Sequence, residues 1–127
     1  MSEQPLRPIT ERTFEFAVRI VRLCDSLDNK ARISCPLITQ LIRSGTSVGA
    51  NVEESQAAQS RADFIHKLEI ALKELRETRY WLRLLVATEI VSAGKLQALL
   101  TESEELVKIL SKIIVNTKRK GNEGSQN

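Results

Sequence analysis

Residues 61–91, RADFIHKLEIALKELRETRYWLRLLVATEIV, contain neither glycine nor proline. Apolar side chains recur through them at helical spacing. Phe64, Leu68, Ala71, Leu75, Leu82 and Val86 define one face, and Ile70, Trp81 and Leu85 fall on an adjoining one. At 1.5 Å per residue such a helix is roughly 45 Å long. A rod of that length with an apolar stripe is not stable alone in water and needs other rods beside it. Ser60 and Asp63 form an S-x-x-D arrangement, close to a capping box, that marks its start. SAGK, residues 92–95, closes it.

The remaining chain supplies those rods. Thr10 is placed to cap a first helix over about 11–28, after an extended lead-in over residues 1–9. Phe14, Ala17, Val18 and Val21 share one face of it, and Phe16, Ile20, Leu23 and Leu27 form a second stripe alongside. DNKARIS, residues 28–34, reads as a turn. Pro36 then suits the first position of a second helix over about 36–57, capped by Ser34 or Cys35, with Leu37, Leu41, Val48 and Val52 in register. A fourth helix over about 96–117 carries Leu96, Leu99, Leu100, Leu106, Val107, Leu110, Ile113 and Ile114. The tail 118–127, KRKGNEGSQN, is polar and expected to be disordered. With 127 residues, five glycines and three prolines, the chain is a single domain and all-α. Four amphipathic helices on short connections predict an antiparallel up-down-up-down four-helix bundle.

Two arcs remain after such a bundle is closed. Phe16, Ile20 and Leu23 on the first helix, and Ile70, Trp81 and Leu85 on the third, are the expected interface with further copies of the chain. The second helix has the opposite character at RSGTSVGANVEES, residues 43–55. Each mid-helix glycine costs about 1 kcal/mol relative to alanine, so Gly45 and Gly49, with Ala50 beside them, call for a compensating gain. Close approach of another helix backbone supplies it, from the third helix or from another subunit. A P-loop is excluded, because GxxxxGK[ST] is absent and no strand precedes the glycines. Asn51 within this patch either bonds to the preceding turn or fixes helix register as a buried amide.

The reactive groups of an enzyme are missing. His66 is the one histidine, so the single Asp63-x-x-His66 cannot build a dinuclear site. Glu53 and Glu54 are adjacent and point about 100° apart on a helix. Cys24 and Cys35 have no zinc spacing and read as small buried hydrophobes. No catalytic residue, metal or cofactor is expected. With no apolar run of about 18 residues and no leader-like segment, the expected location is the cytoplasm.

Charge is mildly positive, +3 overall. Arg12, Arg19 and Arg22 lie together on the first helix; Lys73, Arg76 and Arg83 share a side of the third, where Glu69 and Lys73 are an i,i+4 pair; Lys118, Arg119 and Lys120 end the fourth. These nine are the candidate nucleic-acid contacts, able to hold phosphates without sequence preference. Arg79 falls towards the apolar stripe and is expected to snorkel or to pair across an interface.

RSGTSVGANVEE, SRADFIHKLEIALKE and ETRYWLRLL, in this order and spacing, resemble the four-helix-bundle family known from open reading frames within intervening sequences of bacterial 23S ribosomal RNA genes. FEFAVRIVRLCDSL fits that family's first helix. Val48 and Val52 stand where isoleucine is common, and Ser55 where alanine is. The resemblance implies an up-down bundle assembled as a ring, typically a homopentamer. It also implies kinship with the accessory proteins of diversity-generating retroelements, which bind nucleic acid and a reverse transcriptase. It carries over no catalytic residue. The expected function is a non-enzymatic homo-oligomeric scaffold associated with RNA or DNA; the alternative is a module that binds a partner protein, such as a polymerase, through a helix face.

Overall fold

The computed structural model of the chain describes residues 7–28 and 35–125 and contains four helices: α1 (Ile9–Asp28), α2 (Cys35–Ser55), α3 (Arg61–Ala87) and α4 (Ala93–Ser125). The first six residues of the expected lead-in, residues 29–34 of the expected turn, the Ser34 cap and the Cys35 thiol lie outside the described residues. Among the described residues there is no strand. Each helix packs on the next, and α4 returns to α1. Neighbours run antiparallel. Gly45 and Gly49 of α2 lie against Ile20 and Thr13 of α1. Ser44 and Glu54 meet Thr78 and Lys67 of α3. Glu69 reaches Lys118 of α4, and Arg61 covers Gly121.

Helix ends follow local chemistry. Ser60 caps α3 in extended geometry and accepts from the Asp63 N–H at 3.0 Å, while Asp63 accepts from the Gln59 N–H at 3.2 Å. The S-x-x-D start is thus realised, one residue offset from a full capping box. Thr10 does not cap α1. The helix begins at Ile9, and the Pro8 carbonyl accepts from the Arg12 N–H at 3.0 Å. α3 stops at Ala87, short of the expected 91. The Ile90 N–H bonds the Leu85 carbonyl at 3.1 Å and the Glu89 N–H bonds that of Val86 at 3.0 Å, a Schellman closure with Glu89 left-handed at φ 60°. Leu85 and Ile90 supply its apolar contact from the core side. α4 starts at Ala93, earlier than expected, with Ser92 Oγ accepting from the Lys95 N–H at 3.3 Å. It continues to Ser125, so residues 118–125 are helical and not a disordered tail. The Arg61 side chain lies against Gly121, and Lys118, Arg119 and Lys120 stand before the last turn, which holds no basic residue.

The core is one cluster. α1 gives Phe16, Ile20, Cys24 and Leu27; α2 gives Leu41, Val48 and Val52; α3 gives Leu68, Ala71, Leu75, Leu82 and Leu85; α4 gives Leu96, Leu99, Leu106, Leu110 and Ile114. This reverses the expected orientation of α1. Phe16 and Ile20 are buried within the single chain, whereas Phe14 is 63% and Val21 42% exposed. Five hydroxyl residues share the interior: Thr13, Ser44, Ser55, Thr78 and Ser103. Each lies within hydrogen-bond distance of a carbonyl of its own helix, and the Thr78 and Ser44 hydroxyls stand 2.9 Å apart across α2 and α3. Hydrogen bonds made this way offset the cost of burying the hydroxyls.

The glycine pair explains the reversal. A Cβ on Gly45 would stand 2.7 Å from Ile20 Cγ2, and one on Gly49 would stand 3.1 Å from the Thr13 carbonyl oxygen. The close neighbour is therefore α1, not α3 or another subunit. α1 turns its Thr13–Ile20 side into this contact because only there can the two backbones approach. Ala50 is exposed and plays no part in it. Asn51 takes the local option, donating from Nδ2 to the Ser47 carbonyl at 2.9 Å.

Gly49→Ala is expected to lower stability. Alanine gains about 1 kcal/mol of helix propensity, but overpacking against an immovable backbone typically costs about 1–3 kcal/mol. Gly45→Ala meets a side chain instead, so its penalty should shrink in an Ile20→Ala background, giving a double variant more stable than the sum of singles. Thermal melts followed by circular dichroism measure both; an unchanged or raised melting temperature for Gly49→Ala contradicts the close-approach account. Glu89→Gly relieves a left-handed residue and should stabilise the fold by about 0.5–1 kcal/mol in the same assay.

Candidate assembly faces and basic seam

Three surface features carry the functional question, and each follows from how the helices pair. The first is the groove outside the α1–α2 contact. Close approach of the two backbones at the glycines leaves the flanking side chains outside. Phe14, Ala17, Thr46 and Ala50 line one segment of about 260 Å³, with Gly49 in its floor and Glu53 at its edge. Val21, Ile38 and Ile42 line the next, of about 290 Å³, with Asp25 at its edge. The surface is apolar with an acidic border.

The second is a groove of about 400 Å³ between α3 and α4, lined by Leu72, Ile114, Val115 and Ser111, with Lys73, Arg76 and Glu69 around it. Val115 is 52% exposed. In the helix order α1–α2–α3–α4 this groove lies on the side of the bundle opposite the first.

The third is the seam between α1 and α4, the neighbour pair that touches least. Its two ends differ. At one, Arg12 forks onto Glu102 at 2.5 and 3.2 Å and also reaches Glu105 at 3.2 Å. The hydrogen bond to Glu102 holds the Arg12 guanidinium pKa above its ordinary value. At the other, Arg19, Arg22, Ser26 and Lys95 line an open cleft of about 300 Å³ over a floor of Leu23, Leu96 and Leu99.

The nine expected nucleic-acid residues therefore separate. Arg12 is mostly covered and tied to two carboxylates, so it is a clasp between helices and leaves the set. Lys118 pairs loosely with Glu69 at 3.5 Å, which replaces the expected Glu69–Lys73 pair. Arg19 and Arg22 converge on the seam. Lys73 and Arg76 border the α3–α4 groove, and Arg83 lies beside Tyr80 further along α3. Arg119 and Lys120 are exposed at the far end of α4. No single surface joins all of them.

The six expected interface residues change role as well. Phe16, Ile20 and Leu85 are fully enclosed in one chain and cannot meet a second copy. Leu23 and Trp81 pack partly against the same core, and Ile70 is half-buried. The α1 stripe is inward because the glycine contact turns that helix, and on α3 Leu85 belongs to the buried face. Phe14, Ala17, Val21, Ile38, Ile42 and Thr46 form the outward groove in their place. Trp81 stacks edge-on with Tyr80 at 5.2 Å; its Nε1, and Arg79 Nε, are buried without a hydrogen-bond partner. Arg79 thus lies along the apolar stripe, and among the described residues no carboxylate pairs with it.

Lys95 and Ser26 line the seam cleft beside Arg19 and Arg22 and were not singled out in the sequence. A signal existed: Lys95 sits in the first turn of α4, where the helix dipole disfavours a cation. Among the described residues, no group of three His, Cys, Asp or Glu side chains is placed to hold a metal ion, and no helix is long and apolar enough to cross a membrane. His66 is exposed on α3.

A family model described as 23S rRNA-intervening sequence protein matches residues 8–112, which takes in α1 to α3 and much of α4. Among solved structures, the chain is similar to a protein with unknown function from the S23 ribosomal protein family of Bacteroides thetaiotaomicron, at 47% identity and a TM-score of 0.81, over 84% of this chain and 98% of that one. No curated protein matches it.

Cys24 is buried, its thiol 4.0 Å from the Ile38 carbonyl, and burial pushes its pKa up to about 11. A raised folded-state value means that the stability Cys24 contributes is complete below its unfolded pKa and is lost as pH climbs through the folded one. In a Cys35→Ser background, Cys24 should resist a thiol reagent at neutral pH until denaturant is added. Stability should fall as pH rises from 9.0 towards about 11, and Cys24→Ala should flatten that fall. Rapid labelling of the folded chain at neutral pH would contradict the burial.

Proposed function

The chain belongs to the 23S rRNA-intervening sequence protein family, and from that footing we propose that it acts as a non-enzymatic, homo-oligomeric scaffold of the cytoplasm that associates with nucleic acid. The observation that carries the assembly is the pair of grooves on opposite sides of the bundle. Both are apolar, they are built from different helices, and their borders differ in net sign: Glu53 and Asp25 on the α1–α2 side, Lys73 and Arg76 against a single Glu69 on the α3–α4 side. A surface that meets a different surface of the next copy makes a head-to-tail contact, which closes into a ring when the rotation permits. Five copies per ring is the number the family resemblance implies.

Assembly also arranges the rest of the surface. With the two grooves occupied by neighbours, the α1–α4 seam of every protomer faces the same side of the ring. A small net charge per chain becomes a repeated cationic band, which is what non-specific retention of a phosphate backbone needs. A reverse-transcriptase-like or other protein partner would then meet the remaining face.

Light scattering on the purified chain tests the reading. A ring mass is expected, and Phe14→Glu with Val21→Glu should yield folded single chains, because both side chains are exposed in the protomer. A wild-type chain that remains a cooperatively folded monomer in dilute solution overturns the ring. Capture of a protein that survives nuclease treatment, with no nucleic acid retained, favours the partner-binding alternative.

A further inference from the structure

We infer that the cleft formed by Arg19, Arg22, Lys95 and Ser26 at the open end of the α1–α4 seam is the seat for the phosphodiester backbone of a nucleic acid. The inference rests on the nucleic-acid reading above and names its site.

The cleft differs from the other places where cations gather. Arg7 pairs with Glu11 and Glu15, Arg12 with Glu102 and Glu105, Arg43 with Glu74 and Glu77, Lys67 with Glu54, and Lys118 with Glu69. Lys73 and Arg76 share their groove with Glu69. The seam cleft has no carboxylate in its lining. Among the described residues, none is within ion-pair distance of Arg19, Arg22 or Lys95. Glu15, the nearest acid to Arg19 along α1, is held at 2.5 Å by Arg7, and Arg19 adds only a weaker, longer-range attraction to it.

This placement is unfavourable for the chain by itself. Arg19 and Arg22 are like charges three residues apart on one helix. Lys95 adds a third cation at the positive end of α4. An anion in the cleft reverses all of these terms together. The two guanidiniums suit phosphate oxygens in bidentate geometry, and Ser26 adds a neutral hydroxyl. Leu23, Leu96 and Leu99 give an apolar floor on which a sugar can rest. No aromatic side chain lines the cleft, so bases are not stacked and recognition is of the backbone, without sequence preference. In a ring built through the two grooves, one such seat recurs per protomer along the same side.

The test is fluorescence anisotropy of labelled single-stranded RNA, and of DNA of the same sequence, with the full-length chain at about 50 and about 200 mM KCl. Arg19→Gln/Arg22→Gln is compared with Lys108→Gln/Lys112→Gln, which removes equal charge from exposed positions on α4 outside every groove described. Circular dichroism confirms that both variants fold. The seam variant should lose roughly tenfold or more in affinity at low salt, with a log–log salt slope shallower by about 1.4, while the control stays within about twofold of wild type. The seam variant should also melt no lower than wild type at low salt, because mutual repulsion has been removed. If wild type binds and the seam variant binds equally well, or both variants lose affinity alike, the seat is wrong and the nucleic-acid reading stands. If wild type binds neither polymer at low salt, that reading fails and the seat fails with it.

Discussion

Backbone-to-backbone contact between α1 and α2 is the constraint from which the rest of the surface follows. Gly49 rests against the Thr13 carbonyl and Gly45 against Ile20; a methyl group would collide with Ile20 at Gly45 and crowd the backbone at Gly49. Two glycines in a helix interior weaken it by about 1 kcal/mol each, and dispersion along a close contact offsets that loss. The contact has a directional consequence. It fixes the rotation of α1, so Phe16, Ile20, Cys24 and Leu27 point inward while Phe14, Ala17 and Val21 point out over α2. It also draws α1 towards α2, and α1 touches α4 less than any other neighbouring pair touches. The apolar groove and the open seam are two results of one packing choice.

The sequence alone made four helices, their order and their antiparallel pairing legible, because long amphipathic periods with short connections leave few alternatives. The rotation of α1 was not legible. Phe14–Val21 and Phe16–Leu27 are both apolar stripes at helical spacing, and hydrophobicity cannot rank them. The deciding information lies on another helix, in the two glycines, and reading it requires knowing which neighbour they face. The end of α3 was hidden for a different reason: Glu89 adopts a conformation usually assigned to glycine, and nothing in TEIV announces it. Helical order through KRKGNEGS was hidden because Arg61, some sixty residues away in sequence, covers Gly121.

The polar interior is conservative. Buried hydroxyls bond to carbonyls of their own helix, and only the Thr78–Ser44 bond crosses between helices in the core. Register between helices is instead set at the surface by the carboxylates that Arg12, Arg43, Lys67 and Lys118 reach. Such pairs contribute little stability when exposed. Their larger effect here is on the field. Every cation tied to a carboxylate is removed from the pool available to an outside anion, so the distribution of glutamates, more than the count of basic residues, decides where positive potential remains.

That distribution is asymmetric about the bundle. On the α2–α3 side Arg43 faces Glu74 and Glu77, and Lys67 faces Glu54. On the α1–α4 side the acidic residues stand at one end only, with Arg12, and the other end holds Arg19, Arg22 and Lys95 without them. The two remaining sides are the apolar grooves. A bundle has four sides, and this one divides them into two that are apolar, one that is neutralised, and one that is cationic. A chain with a formal charge of only +3 keeps one cationic side in this way, because its carboxylates neutralise basic residues elsewhere.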